Sequence, residues 1–203
     1  MLKVYGAIVS GNCYKVKVLL HLLGLEHEWQ EVDLIAGGAR TEDFLKMNPN
    51  GKTPTLQIDE HTFLAESNAI LYYLAQESDF FPQDKLQQAQ VMQWMFFEQY
   101  SHEPYIATSR FIRLFLELTP ERLIDLEQKK AAGLKALDVM NTQLSKHKFI
   151  AGDSFTIADI ALYAYTHVAE EGGFDLSSFA HVTRWITSCQ AINNFEPLEY
   201  FKK

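Results

Sequence analysis

Asn48-Pro49-Asn50-Gly51-Lys52-Thr53-Pro54-Thr55-Leu56, followed after a short alternating run by Glu66-Ser67-Asn68-Ala69-Ile70, is the stretch whose reading decides the fold. A proline ahead of a strand lacks an N–H and fixes φ, which predicts an edge position and admits a cis Thr53-Pro54 bond. Such a turn can direct a backbone N–H and C=O outward. A glutamate followed by serine at a helix start sets a carboxylate beside free N–H groups, and together these can hold the α-amino and α-carboxylate ends of an amino acid. The stretch therefore reads as a site for a small peptide.

Upstream of it, the pattern predicts a strand over Lys3 to Ile8, a helix over Cys13 to Leu23 with apolar Val16, Leu19, Leu20 and Leu23, and a second strand over Glu28 to Asp33. That is a β-α-β unit, normally a right-handed crossover with parallel strands. Thr55 to Ile58 and Thr62 to Ala65 suit a hairpin turning through Asp59 to His61, and Asn68 to Gln76 closes the first part as a helix. The order β-α-β then β-β-α is that of a thioredoxin-like domain.

Strand signals stop after Glu77, and Ser78 to Asp84, with Phe80, Phe81 and Pro82, reads as a linker. Long helical segments follow over Lys85 to Leu116, Glu121 to Leu144, Ile157 to Ala169 and Ser178 to Ala191, the second opened by a Thr119 N-cap and Pro120. The expected fold class is α+β in two domains: a thioredoxin-like α/β domain over residues 1–78, a linker over 79–86 and an all-α domain over 87–203. Thr156 and Asp159 form a capping box, a folding element without chemistry.

The 203 residues, 47% hydrophobic and 13% aromatic, are ample for a buried core, and the net charge of −8 with no run of Lys and Arg argues against a nucleic-acid partner or an anionic membrane. No apolar run approaches the roughly 20 residues of a bilayer span, and Met1 leads directly into the first strand, so a cytoplasmic location is expected. Cys13 and Cys189 show no C-x-x-C or ligand spacing, the histidines are scattered, and no bound metal is expected.

Four segments in order, Val9-Ser10-Gly11-Asn12, the Asn48 to Leu56 stretch, Glu66 to Ile70 and Phe155-Thr156-Ile157-Ala158-Asp159-Ile160-Ala161, make the chain resemble the cytosolic glutathione S-transferases, of the serine type with theta-, phi- or nu-like character. The resemblance implies a cis bond before Pro54, backbone pairing of Thr53 with the cysteinyl part of glutathione, and Glu66 and Ser67 on its γ-glutamyl end. It further implies Lys52, and less directly Arg40, on the carboxylate side of the tripeptide. Glutathione is then a substrate, and no separate cofactor is implied.

Catalysis in such a site needs a thiolate, since a thiol with a pKa of about 8.5 is mostly protonated at neutral pH. One charge-assisted hydrogen bond is worth about 1.5 to 3 kcal/mol, and about 1.4 kcal/mol moves a pKa by one unit, so a single donor suffices. Ser10, where strand one meets helix one, is the candidate donor, and the helix N-terminus adds positive potential. Taken alone, the same serine would serve as an N-cap. Asn12 is the second candidate. Cys13 reads as a small buried hydrophobe, unlike the cysteine of omega- and beta-class relatives, and the Ser-Ser-Cys of the zeta class places its cysteine where this chain has Asn12.

By family architecture Tyr105, Ser109 and Phe111 are candidate walls of a pocket for a hydrophobic electrophile, and Glu98 with Gln99 are candidates to reach a neighbouring subunit's glutathione in a homodimer. Glu98 on a solvated helix face is an equal reading. The functional expectation is conjugation of the glutathione thiolate to an electrophilic carbon. A glutathione-dependent peroxidase or disulfide reductase on the same scaffold competes with it, as does a non-enzymatic interaction module.

Overall fold

The structure, a computed structural model, describes residues 1–198. The described residues divide into two compact units, Met1–Asp79 together with residues 193–198, and Phe80–Ile192. Residues 193–198 thus join the first unit, whereas the sequence pattern assigns them to the helical one.

In the first unit, β1 (Leu2–Gly6), α1 (Gly11–Leu22) and β2 (His27–Glu31) form the parallel β-α-β unit, and β3 (Thr55–Gln57) and β4 (Phe63–Ala65) form the antiparallel hairpin. The sheet order is β2-β1-β3-β4. β3 is therefore an interior strand, and Pro54 is not on an edge: it stands immediately before β3, where its missing N–H removes no ladder bond. Two elements carry no legible period. A 3-10 turn over Gly38–Arg40 and α2 (Glu42–Met47) lie in the β2 to β3 connection, with the Thr41 hydroxyl capping α2 at the Phe44 N–H. α2 packs Phe44 with Val32 and Ala39, flanked by Tyr5 and Met47.

The core beneath the sheet is carried by α1 and α3 (Ser67–Ala75). Val16, Val18, Leu19, Leu20, Ile70 and Leu71 are fully buried, each worth about 1.5 to 3 kcal/mol against exposure. From the far end of the chain, Glu196 offers its carbonyl to the Tyr14 hydroxyl at 2.7 Å, which fastens this segment onto α1.

The second unit is helical: α4 (Lys85–Phe97), α5 (Glu103–Phe115), α6 (Pro120–Leu144), α7 (Ile157–Thr166) and α8 (Ala180–Gln190). The sequence pattern predicts one helix over Lys85 to Leu116. Instead α4 and α5 are joined by a π-helical turn over Glu98–His102, in which the Glu103 N–H reaches back to the Glu98 carbonyl. Pro104 supplies the cause, since it lacks an N–H and its ring crowds the carbonyl four residues earlier, so the chain widens just ahead of it. Gly133 of α6 is required by packing, because a Cβ there would meet the Phe174 ring at 2.3 Å. The capping box at the start of α7 is present. The Asp159 carboxylate also accepts the Ile150 N–H at 2.8 Å and the Trp185 indole at 2.8 Å, so one buried side chain ties the start of α7 to α8. Among the described residues, no helix is long and apolar enough to cross a membrane.

Candidate functional site

The turn between β1 and α1 presents Ser10. Its N–H closes the turn on the Ala7 carbonyl at 3.0 Å, and its hydroxyl accepts the Cys13 N–H at 3.4 Å as the N-cap of α1. The capping reading of Ser10 is thus fulfilled, over a long bond from the Cys13 N–H. Cys13 is fully buried and more than a spacer. Its sulfur accepts the Ala7 N–H at 3.3 Å and engages the side chains of both Thr53 and Ser10. Burial pushes the Cys13 thiol up despite these partners, so it stays protonated at neutral pH.

Thr53 precedes a cis peptide bond to Pro54. The loop that carries it is held by Asn48, a residue to which the sequence reading gave no role. Asn48 is buried, and its side-chain amide donates to the Lys52 carbonyl at 2.8 Å and the Thr55 hydroxyl at 3.2 Å, while its carbonyl accepts the Asn50 N–H at 3.1 Å. Arg40 lies across the same loop: its guanidinium donates to the Asn50 carbonyl at 3.2 Å, and a Cβ on Gly51 would stand 2.6 Å from it. Gly51, at φ +61°, is thus fixed both by backbone conformation and by this approach. Lys52 is exposed beside it.

Glu66 adopts φ 67° and ψ 113°, a conformation costly to a non-glycine residue, and from it begins α3 with an exposed carboxylate. Next to it, Ser67 is buried and donates from its hydroxyl to the Asn12 carbonyl oxygen at 3.4 Å. Beneath both lies Lys15, fully buried on α1, with its ammonium donating to the Ser67 hydroxyl at 3.4 Å and the Asn68 carbonyl oxygen at 3.4 Å. The apolar spacing of α1 gives no signal for it, since the helix is buried on most of its faces, Tyr14, Val16, Val18 and Leu19 among them.

Ser10, Asn12, Thr53 and Ser67 are therefore brought together around the first turn of α1, through Cys13 on one side and the direct Asn12 to Ser67 bond on the other. The arrangement offers a hydroxyl at a helix N-terminus, a half-buried threonine before a cis-proline, a carboxylate on a strained backbone, and a second helix N-terminus underlain by a buried lysine. A zwitterionic amino-acid end and a thiol match these groups in charge.

In the second unit, the candidates separate. Tyr105 and Ser109 sit one turn apart on the same face of α5, Tyr105 half-buried and Ser109 buried with its hydroxyl unpaired. Phe111 projects from a different face, 42% exposed and paired with Phe115 at 5.5 Å between ring centroids, so these three residues do not form one wall. Glu98 is fully buried, which rules out the solvated helix face and keeps its carboxylate off the surface, whereas Gln99 is exposed.

Two family models cover most of the chain, the glutathione S-transferase N-terminal domain over residues 9–77 and the C-terminal domain over residues 93–193. A crystal structure of a glutathione S-transferase from Pseudomonas fluorescens is 52% identical and superposes with a TM-score of 0.95, over 97% of this chain and 98% of that one. Among curated proteins, glutathione S-transferase 2 of Anopheles gambiae is 34% identical, over 94% of this chain and 91% of its own length. The disulfide-bond oxidoreductase YghU of Escherichia coli is 30% identical, over 86% of this chain and 66% of its own length. With both domain models matched in order and the site built around the first turn of α1, the chain belongs to the glutathione S-transferase family.

Proposed function

We propose that this chain binds glutathione on its first unit and transfers the glutathione thiolate to hydrophobic electrophiles, with the Ser10 hydroxyl donating to the sulfur. The observation that carries this reading is the convergence of Ser10, Thr53 and Ser67 on the first turn of α1. In it, the Thr53 backbone pairs with the cysteinyl residue. Glu66 takes the ammonium and Ser67, at the N-terminus of α3, the carboxylate of the γ-glutamyl end. Arg40 and Lys52 face the glycyl carboxylate.

The reaction is nucleophilic attack by a pre-ionised thiolate, in which the sulfur lone pair forms the new bond and the leaving group departs with its electrons. Ser10 stabilises the anion before attack, and Asn12 orients Ser67. Tyr105 and Ser109 are the electrophile-facing residues of the helical unit. No cofactor besides the substrate glutathione is required. The reading includes a cytoplasmic, detoxifying homodimer, which would cover the exposed Tyr72 and Tyr73 of α3 and Phe96 of α4, with the exposed Gln99 the candidate to reach the partner.

Steady-state turnover of glutathione with a chloro-dinitroaromatic acceptor tests the assignment. Ser10→Ala is expected to lower kcat by about a hundredfold, the scale of losing one transition-state donor, and to move the pH plateau upward. Wild-type turnover in Ser10→Ala with loss in Asn12→Ala would transfer the role to Asn12. A second reading, glutathione-dependent disulfide reduction at the same sulfur site, is favoured by the likeness to the E. coli oxidoreductase. Turnover of a mixed disulfide faster than of the chloroaromatic under matched conditions would select it.

A further inference from the structure

Glu31 ends β2 directly opposite Gly6, the last residue of β1 before the turn that carries Ser10. Its two carboxylate oxygens are both engaged. Oε1 accepts the Ile8 N–H at 3.0 Å, and Oε2 accepts the Trp29 indole N–H at 2.8 Å. Trp29 shares the face of β2 with Glu31, and its ring is trapped in turn. The Lys17 ammonium lies 4.3 Å from the ring centroid, and the ring crosses Gly6 so closely that a Cβ there would stand 2.6 Å from it.

The turn is thereby fastened at three of its residues by different groups: Ala7 N–H on the Cys13 sulfur, Ile8 N–H on Glu31, and Ser10 N–H on the Ala7 carbonyl. The Cys13 and Ser10 bonds are local and turn with α1. Glu31 alone of the three anchors reaches the turn from the sheet, and a carboxylate oxygen makes the stronger kind of bond to a backbone donor.

We infer that Glu31 is a positioning residue for the transfer reaction, holding the β1 to α1 turn so that the Ser10 hydroxyl points at the sulfur. The inference rests on the reading of Ser10 as the sulfur donor. Glu31 is set apart from the anchors for the γ-glutamyl end on α3, so its loss acts on the step Ser10 serves and leaves glutathione affinity in place. A displacement of the donor by a fraction of an ångström to 1 Å is enough, since misplacement on that scale costs up to about a hundredfold in rate.

The experiment is a double-mutant cycle on the full chain, with kcat, KM for glutathione and thermal unfolding measured for wild type, Glu31→Ala, Ser10→Ala and the pair. Glu31→Ala is expected to lower kcat about tenfold with KM for glutathione changed less than twofold, and to change kcat less than twofold when Ser10 is already alanine. Trp29→Phe, which removes one of the two bonds to Glu31 while keeping a ring over Gly6, is expected to lower kcat about threefold and guards against a folding defect in Glu31→Ala.

An equal tenfold loss in both backgrounds, a loss confined to KM, or unchanged kcat in a folded Glu31→Ala overturns the inference while the Ser10 reading stands. Wild-type turnover in Ser10→Ala overturns the Ser10 reading itself, and the inference with it.

Discussion

Lys15 donates from Nζ to Ser67 Oγ and to Asn68 Oδ1, both at 3.4 Å, so a fully buried ammonium on α1 supports the first two residues of α3. The N-terminus of α3 already favours an anion through the helix dipole, and a cation buried beneath it acts through a medium of lower dielectric than water. Lys15→Met keeps the length and apolar stem while deleting the charge. It is expected to raise KM for glutathione about tenfold, equivalent to about 1.4 kcal/mol of binding, with a smaller change in kcat. An unchanged KM would mean that the ammonium serves packing alone.

Glu66 is held at φ 67° and ψ 113°, where a side-chain-bearing residue stores about 1 to 3 kcal/mol. Glycine adopts positive φ without that cost, though it brings its own chain entropy. Glu66→Gly is therefore expected to stabilise the fold by about 1 kcal/mol and to weaken glutathione binding at least tenfold, since it discards the carboxylate. Glu66→Gln, which retains the strained backbone and loses only the charge, should weaken binding without the gain in melting temperature. Calorimetric affinity and thermal unfolding on the same samples separate the two effects.

Both cysteines are buried, and burial is the leading cause that raises each thiol above its ordinary range. Neither is expected to react with an aromatic disulfide reagent in the native chain, and both should react once the chain is unfolded. The sign follows from the thiolate being the nucleophile, so a raised pKa lowers the reactive fraction at neutral pH. A fast-reacting thiol in the folded protein would place Cys13 among the reacting groups and favour a reductase that uses its own sulfur.

Alternating and helical periods made the β-α-β and β-β-α order legible, because Val16, Leu19 and Leu20 recur at helical spacing in α1 while the runs around Val4 and Leu56 are of strand length. Short elements were not legible. α2 spans fewer than two turns, so no period accumulates, and its presence is decided by the Thr41 cap and the Phe44 anchor. The π turn before Pro104 hides for a different reason: the hydrophobic pattern runs through it, and only the missing proline N–H marks the change. At the site, the residues proposed to meet glutathione sit in recognisable segments, whereas Asn48, Lys15 and Glu31 bond to other residues of the chain. Their bonds to Lys52, Ser67 and Ile8 join positions brought together by the turn geometry and by the α1 to α3 packing, and no local spacing announces them.

Asp159 couples this architecture to pH. Its carboxyl is fully buried and pushed up to about 6, burial outweighing the Ile150 and Thr156 N–H groups, the Trp185 indole and the Thr156 hydroxyl that favour the ionised form. A folded-state pKa above the unfolded value means that the folded chain binds the proton more tightly. The contribution to stability is therefore complete below about pH 4, the unfolded value, and is lost as pH rises through about 6. Between pH 4.5 and pH 7 this loss amounts to about 2 kcal/mol. Asp159→Asn cannot titrate, and with its Oδ1 kept on Ile150 and Trp185 its Nδ2 cannot accept the Thr156 N–H, so it is expected to be less stable than wild type throughout. The gap between the two should be about 2 kcal/mol wider at pH 4.5 than at pH 7, because only wild type gains from protonation as pH falls. Urea unfolding of both proteins at the two pH values, with equal m-values required for the comparison, reads this difference directly. A gap that is constant, or wider at pH 7, would mean that the four donors hold Asp159 ionised across the range.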